Sequence, residues 1–154
     1  MTTADKITDY LISKGIKEGI PLTNKRLQKL LYYIQAWHLA IRRQPIFEDK
    51  IEAWIHGPAI RSIYEKYKSF VANPIDKISN PQIAKELDNS IIKFVDRIVK
   101  AYAPYDTATL EYMTHIEEPW QIARKGLEAN ESSNNEITQA SMMTYYSNRL
   151  TAVK

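Results

Sequence analysis

Three histidines, His38, His56 and His115, are the side chains in this sequence best suited to chemistry. Three histidines can bind a catalytic zinc ion, but no two of these lie four residues apart on one predicted helix. Each also has a structural explanation. His38 falls on an apolar helical stripe, where it would be a core residue, whereas His56 and His115 lie in predicted turns, where a ring can bond backbone groups. We therefore expect no metal ion and no other cofactor.

Nucleophilic and acid–base catalysis have no better support. The sequence contains no cysteine, no Gly-x-Ser-x-Gly elbow and no glycine-rich phosphate loop. Glu117 and Glu118 are adjacent carboxylates, but neighbouring residues at a helix start point in different directions. They suit the helix dipole better than they suit acid–base catalysis. We expect that the protein is not an enzyme.

Length and composition are those of one folded domain spanning residues 1–154. Hydrophobic residues make up 44% and charged residues 25%, which is ordinary for a globular protein that buries its own core. The lack of cysteine excludes disulfides and suits a reducing compartment. Since the sequence shows neither a signal peptide nor an apolar run of about 18 residues, we expect a cytoplasmic protein that does not enter membranes.

Positive charge is concentrated in the first two thirds of the chain. Residues 1–100 hold 17 Lys and Arg against 11 Asp and Glu, whereas residues 101–154 hold 4 against 7. One interpretation is a basic patch for an acidic protein or nucleic acid, and the other is two solvated faces of opposite sign. Because the basic residues are dispersed, we favour solvated faces. We expect Lys25, Arg26 and Lys29 to face solvent instead of contacting nucleic acid.

Hydrophobic periodicity predicts helices over most of the chain. The strongest prediction is residues 24–43, with Thr23 as N-cap and apolar stripes on two sides, which is typical of a central helix. Gly15 is expected to end the first helix, and Thr114 with Glu117 matches a capping box for a short helix. The other helices are predicted over residues 3–14, 56–68 from Pro58, 81–102, 106–113 after Asp106, and 139–149 after Thr138.

A short β element interrupts this helical pattern. Alternating hydrophobicity predicts a strand over residues 51–55, with Ile46-Phe47 as the other arm of a small hairpin. His56-Gly57-Pro58 would end the strand and start the next helix. The predicted fold class is therefore mainly α, a compact bundle of about seven helices with a minor β-hairpin or strand near residues 45–56.

Two sequence blocks carry a resemblance to a known family. One runs from a Lys-Leu-Leu-Tyr-Tyr helix through an Ala-Trp strand to a His-Gly-Pro turn, and the other is a Thr-His-x-Glu-x-Pro-Trp turn. In order and spacing they resemble the Panacea domain, also called the SocA-like or phage-associated GepA-like domain, over residues 22–146. The family-motif positions are Leu30, Tyr32, Trp37, His38, Trp54, His56, Gly57, Pro58, Tyr64, His115, Glu117, Pro119 and Trp120.

The resemblance implies a nearly all-helical antitoxin of bacteria and phages, which binds and neutralises a toxin protein encoded next to it. The expected partner is thus a cognate toxin, with no membrane and no nucleic acid. One branch of the family resembles a proteolytic adaptor that delivers its toxin to an AAA+ protease, and this is the first alternative. A nucleic-acid-binding regulator and a small hydrolase or metal enzyme are further alternatives for which the sequence supplies little.

The family-motif residues have two interpretations. We expect them chiefly to hold the fold together, with Trp54 and Trp120 in the core and with His56 and His115 bonding loop backbone. The alternative is that the His-Gly-Pro turn itself lines a partner site. The expected contact regions are the exposed sides of residues 25–43, the 56–68 helix and the C-terminal helix 139–149.

Overall fold

Helices make up most of the described chain, which confirms the mainly α fold class. The computed structural model describes residues 1–153, with side chains through residue 150. The predicted N-caps Thr23, Asp106 and Thr138 each accept a hydrogen bond from a backbone N–H at their helix start. In chain order the elements are α1 (Ala4–Lys17), α2 (Asn24–Arg42), β1 (Ile51–Trp54), β2 (Gly57–Ala59), α3 (Arg61–Tyr67) with a 3-10 turn (Lys68–Phe70), α4 (Ile83–Glu86), α5 (Asn89–Tyr102), α6 (Thr107–Ile116), α7 (Glu118–Ala123), β3 (Glu136–Ile137) and α8 (Gln139–Val153).

The central element is α2, as its two apolar stripes predicted. It packs against α1, α5, α6, α8 and β2. Leu27, Leu31 and Ile34 on this helix are fully buried, and so are most of their neighbours. Along most of its length α2 therefore has no side that faces solvent. Its polar side chains must find their partners inside the protein.

Tyrosines fill much of the core beside α2. The Tyr33 ring stacks on Tyr102 with centroids 4.1 Å apart, and the Tyr146 hydroxyl donates to the Tyr32 hydroxyl at 3.1 Å. Trp37 Nε1 donates to the Tyr102 hydroxyl at 2.7 Å. These bonds let large rings enter the core without leaving their polar atoms unpaired.

The sheet differs from the predicted hairpin. β1 pairs antiparallel with both β2 and β3, in the order β2-β1-β3, and Trp54 lies opposite Gly57. The prediction that Pro58 starts a helix is wrong, because Pro58 lies in β2 and α3 begins only at Arg61. A proline is tolerated there because β2 is an edge strand, where a missing N–H need not break the ladder.

The first helix, α1, is longer than predicted. Gly15 does not end it, since the helix continues to Lys17. Packing explains this glycine, because a Cβ would lie 2.7 Å from the Ile20 carbonyl oxygen where the chain returns past the helix. The glycine with a positive φ after this helix is Gly19, with φ 73.

The long helix predicted over residues 81–102 is interrupted. Leu87 and Asp88 have extended backbone and separate α4 from α5. Asp88, Asn89 and Ser90 follow one another at this point, and their short polar side chains favour a helix start over a helix interior. The spacing of apolar residues continues across residues 87–88, so it did not predict this break.

The Thr114–Glu117 pattern does not form a capping box. Thr114 lies inside α6, which extends three residues beyond its predicted end, and its hydroxyl donates to the Glu111 carbonyl oxygen at 2.7 Å. Glu117 precedes α7, but its carboxylate accepts a hydrogen bond from the Tyr33 hydroxyl at 2.6 Å. Burial raises the pKa of Glu117. A buried tyrosine thus occupies the oxygen that a cap would have used.

Two glutamines on α2 bind the chain that follows the helix. Gln35 Nε2 donates to the Phe47 carbonyl oxygen at 2.7 Å, and Gln35 Oε1 accepts from the Ile46 N–H at 2.9 Å. Gln28 Oε1 accepts from the Ile60 N–H at 2.8 Å. Ile46 and Phe47 are therefore held by α2 and not by the strand pairing predicted for them.

We expect Gln35→Ala to lower the free energy of unfolding by about 2–4 kcal/mol, because it leaves a buried N–H and a buried carbonyl unpaired. Urea denaturation measures the loss. Gln82→Ala is the control, since Gln82 is exposed and its side chain caps nothing, so its effect should stay within about 0.5 kcal/mol. Equal losses in the two variants would contradict the role of Gln35.

Candidate binding site at the hairpin turn

The turn between β1 and β2 lies unusually close to two helices. Gly57, directly after the turn, has φ 110, a conformation that residues with side chains rarely adopt. A Cβ at this position would lie 2.8 Å from Lys29 Cε and 3.0 Å from Thr114 Oγ1. Glycine therefore allows the turn to lie against both α2 and α6.

Three side chains from the other side of the hairpin hold successive carbonyl oxygens at the end of β1. Arg124 Nη1, Trp120 Nε1 and His115 Nε2 lie 2.9, 2.8 and 2.7 Å from the carbonyl oxygens of residues 53, 54 and 55, respectively. All three side chains come from α6, from α7 or from the residue after α7. The hairpin is thus fixed by hydrogen bonds from residues more than 50 positions away in the sequence.

His115 bonds backbone groups, as predicted, but it does so from the last turn of α6 and not from a loop. Its Nε2 faces the Ile55 carbonyl oxygen, and its Nδ1 lies 2.6 Å from the Glu111 carbonyl oxygen. Carbonyl oxygens only accept, so both hydrogen bonds form together only when the ring carries both protons. The His115 ring also packs on the Trp120 ring. Trp120 is buried, which confirms the prediction that it lies in the core.

Lys29 is buried beneath the turn, so the prediction that it faces solvent is wrong. The residue is only 3% exposed, and its Nζ donates to the Pro58 carbonyl oxygen at 3.2 Å. Burial lowers the pKa of Lys29 to about 7, and the nearby charge of Glu111 opposes this effect. The other two basic residues at the start of α2 are less buried. Lys25 is exposed, as predicted, and Arg26 is half-buried.

A cavity of about 220 Å³ opens between the turn and α2. The Trp54 and Tyr64 rings meet edge to face at its wall, with centroids 5.0 Å apart. Lys29 and Gly57 line the cavity below them, and the imidazole of His56 stands beside the opening. The side chain of His56 is 76% exposed. We call this the hairpin cavity.

Trp54 and His56 do not take the scaffold roles expected of them. Trp54 is half-buried and lies outside the core, because Arg61 stacks over its outer face at 5.1 Å and its Nε1 donates to Glu52. His56 bonds no loop backbone within the described residues, and its Nδ1 lies 3.7 Å from Glu111 Oε1. Both side chains are therefore available to a partner.

A second cavity, of about 520 Å³, is lined by His38. His38 is half-buried there, its Nδ1 lies 2.7 Å from the Gln44 carbonyl oxygen, and burial lowers its pKa. This cavity contains His38 as its only family-motif residue, whereas the hairpin cavity gathers Trp54, His56, Gly57 and Tyr64. The hairpin cavity is the better candidate for that reason, although it is the smaller one.

The remaining family-motif residues lie in or beside the core. Leu30, Tyr32, Glu117, Pro119 and Trp120 are buried, and Trp37 is half-buried. In the part of the chain with described side chains, no group of His, Asp and Glu has the arrangement of a metal site. The motif thus divides into residues in or beside the core and residues that line the hairpin cavity.

A model of the family described as "Antitoxin SocA-like, Panacea domain" matches residues 27–121. The chain belongs to this family. The matched segment of the Panacea domain includes Lys29 on α2, the hairpin turn, and His115 and Trp120, which bond the hairpin from α6 and α7. The chain is also 26% identical to the protein named Antitoxin SocA of Caulobacter vibrioides (strain NA1000 / CB15N) over 136 residues, which cover 80% of this chain and 71% of that relative.

No solved structure matches this Panacea chain. Among the described residues, no helix is both long enough and apolar enough to cross a membrane.

The burial of Lys29 was not predicted, although the sequence contains a pattern that indicates it. Lys29 lies three residues before Tyr32 and seven before Ala36, on the second apolar stripe of α2, and a lysine on such a stripe is expected to be buried.

We expect Gly57→Ala to destabilise the Panacea domain by more than about 2 kcal/mol, because the new Cβ adds a steric clash to an unfavourable φ. Thermal and urea unfolding measure the loss. Gly126→Ala is the matched control, since Gly126 also has a positive φ, 87, but no atom lies within 4 Å of its added Cβ. If both variants lose the same stability, close packing of the turn on Lys29 is not what requires Gly57.

Proposed function

We propose that this protein is the antitoxin of a toxin–antitoxin pair, and that it neutralises a cognate toxin in the cytoplasm by direct protein–protein binding without catalysing a reaction. Membership of the SocA-like antitoxin family supports the antitoxin role. The name of the Caulobacter relative agrees with it. Direct binding, the toxin as partner and the absence of catalysis are our inferences from the surface described next.

The observation that carries the proposal is the exposed aromatic and apolar surface around the hairpin cavity. Tyr64 is 38% exposed and Val71 is 77% exposed, and both line the cavity with Trp54 and His56. Exposed side chains of this kind in one place are typical of protein-binding surfaces, where tyrosine and tryptophan are enriched. A structural role does not account for their exposure.

The two helices that hold the hairpin contribute a second group of exposed apolar side chains. Tyr112 and Ile116 on α6 are 64% and 54% exposed, and Ile122 on α7 is 56% exposed. His115 on α6 and Trp120 on α7 are hydrogen-bonded to the hairpin, so these helices are held in place against it. A surface that is already held in place loses less conformational entropy when it binds, which favours affinity.

The structure reduces the surface that one of the three expected contact regions can offer, and partner contact at all three stays a prediction. Residues 25–43 offer little exposed surface, because most of α2 is buried. The 56–68 region supplies His56 and Tyr64, and the C-terminal helix keeps a partly exposed face. A standard interface buries about 800 Å² on each partner, roughly a tenth of the 8585 Å² accessible surface of this chain.

The test is co-expression with the protein encoded by the neighbouring reading frame. We expect that protein alone to arrest growth, and this chain to restore growth and to bind it after purification. In the same assay Tyr64→Ala should weaken binding about tenfold or more, as for an aromatic anchor. Tyr105→Ala is the matched control, since Tyr105 is similarly exposed, 42%, but does not line the hairpin cavity.

The outcomes separate the alternatives. Rescue with an unchanged amount of toxin supports neutralisation by binding, whereas rescue with loss of the toxin protein indicates an adaptor for a protease. A harmless neighbour, or arrest that this chain does not relieve, contradicts the proposal. Equal effects of Tyr64→Ala and Tyr105→Ala would leave the antitoxin role but move the interface away from the hairpin.

A further inference from the structure

Lys29 is a buried cation without a matching anion. Its ammonium group has three N–H donors, and among the described residues only the Pro58 carbonyl oxygen accepts from it. A buried charge is normally paired, because its desolvation is otherwise uncompensated. The side chain nevertheless lines a cavity that opens to solvent. The protein thus keeps a cation with spare donors at the base of an accessible cavity.

The nearest acidic group does not supply the missing anion. Glu111 Oε1 lies 2.7 Å from Lys25 Nζ and 3.7 Å from His56 Nδ1, and it makes no ion-pair contact with Lys29 within the described side chains. The charges that face Lys29 are therefore Lys25 on α2, Glu111 on α6 and His56 on the turn, with the Tyr64 phenol on α3. Two lysines against one carboxylate leave this site short of negative charge.

Size and lining narrow the ligand. A cavity of about 220 Å³ is smaller than the roughly 300–1,000 Å³ typical of sites for drug-sized molecules. Its wall is formed by the Trp54 and Tyr64 rings, which suit methylene groups, whereas its base presents an ammonium group. An acidic side chain matches both parts, since it has a short apolar stem and an anionic end.

We propose that the hairpin cavity is a carboxylate-binding site, in which an Asp or Glu side chain of the toxin enters past the Trp54 and Tyr64 rings and forms an ion pair with Lys29 Nζ. This inference rests on the proposed function, because it takes the toxin as the source of the acidic side chain. A carboxylate site here gives the turn between β1 and β2 a role in recognition. It also accounts for Gly57, whose missing Cβ leaves room for Lys29 beneath the turn.

The site predicts a pH dependence of binding. Burial lowers the pKa of Lys29 to about 7 in the unbound protein, and a bound carboxylate would raise it. Binding then takes up a proton above pH 7, so affinity is complete below pH 7 and falls by up to about tenfold per pH unit above it. His56 also faces the site, and comparison with variants of Lys29 separates the two contributions.

The test uses the purified full chain and the purified product of the neighbouring reading frame, with affinities measured by calorimetry at pH 6, 7 and 8. We expect Lys29→Met to weaken binding at pH 6 by about 30-fold or more and to lose most of the dependence on pH above 7. Lys100→Met, the same substitution at an exposed lysine of α5, should bind like the wild type at every pH. Thermal melting checks that Lys29→Met still folds, since the variant loses the hydrogen bond to the Pro58 carbonyl oxygen.

A second arm leaves this chain unchanged. Each Asp and Glu of the toxin is replaced in turn by Asn or Gln, and we expect one replacement to reproduce the loss and to add little to Lys29→Met. If Lys29→Met keeps wild-type affinity and pH dependence, or if no single acidic residue of the toxin matters, the carboxylate site is wrong while the antitoxin proposal stands. If the wild-type proteins do not bind each other at all, both proposals fail.

Discussion

The burial of α2 along most of its length is the constraint on which the rest of this structure depends. The polar side chains in the buried part of the helix are shielded from water, so they bond to other parts of the chain. Gln35 binds the backbone of Ile46 and Phe47, Gln28 binds that of Ile60, and Lys29 binds that of Pro58. The segment between α2 and α3 is therefore shaped by the polar side chains of the helix that precedes it.

Hydrogen bonds also fix the opposite side of the hairpin. The carbonyl oxygens of residues 53–55 bond to side chains of α6, of α7 and of Arg124. Hydrogen bonds therefore hold β1 and its turn from both sides. These bonds position Trp54 and His56 at the surface, next to Tyr64. The family match covers His115 and Trp120 together with the exposed residues of the hairpin, so one motif contains both supporting residues and surface residues.

The sequence predicted those features that depend on local period and on local caps. The central position of α2 and the caps at Thr23, Asp106 and Thr138 follow from spacing and residue type. Several of the errors share one cause, which is competition from partners distant in sequence. Pro58 joins a strand because β1 lies beside it, and Glu117 caps nothing because Tyr33 takes its oxygen. Lys29 is buried because the Gly57 turn closes over it.

In the proposed function, the hairpin and its supporting helices form the surface that binds the partner. Hydrogen–deuterium exchange of the protein, alone and mixed with the toxin, tests this claim most directly. We predict slower exchange on binding in peptides that cover residues 51–64 and α6, where the exposed side chains and the cavity lie. Slower exchange confined to α1 or α4, with residues 51–64 unchanged, would contradict it.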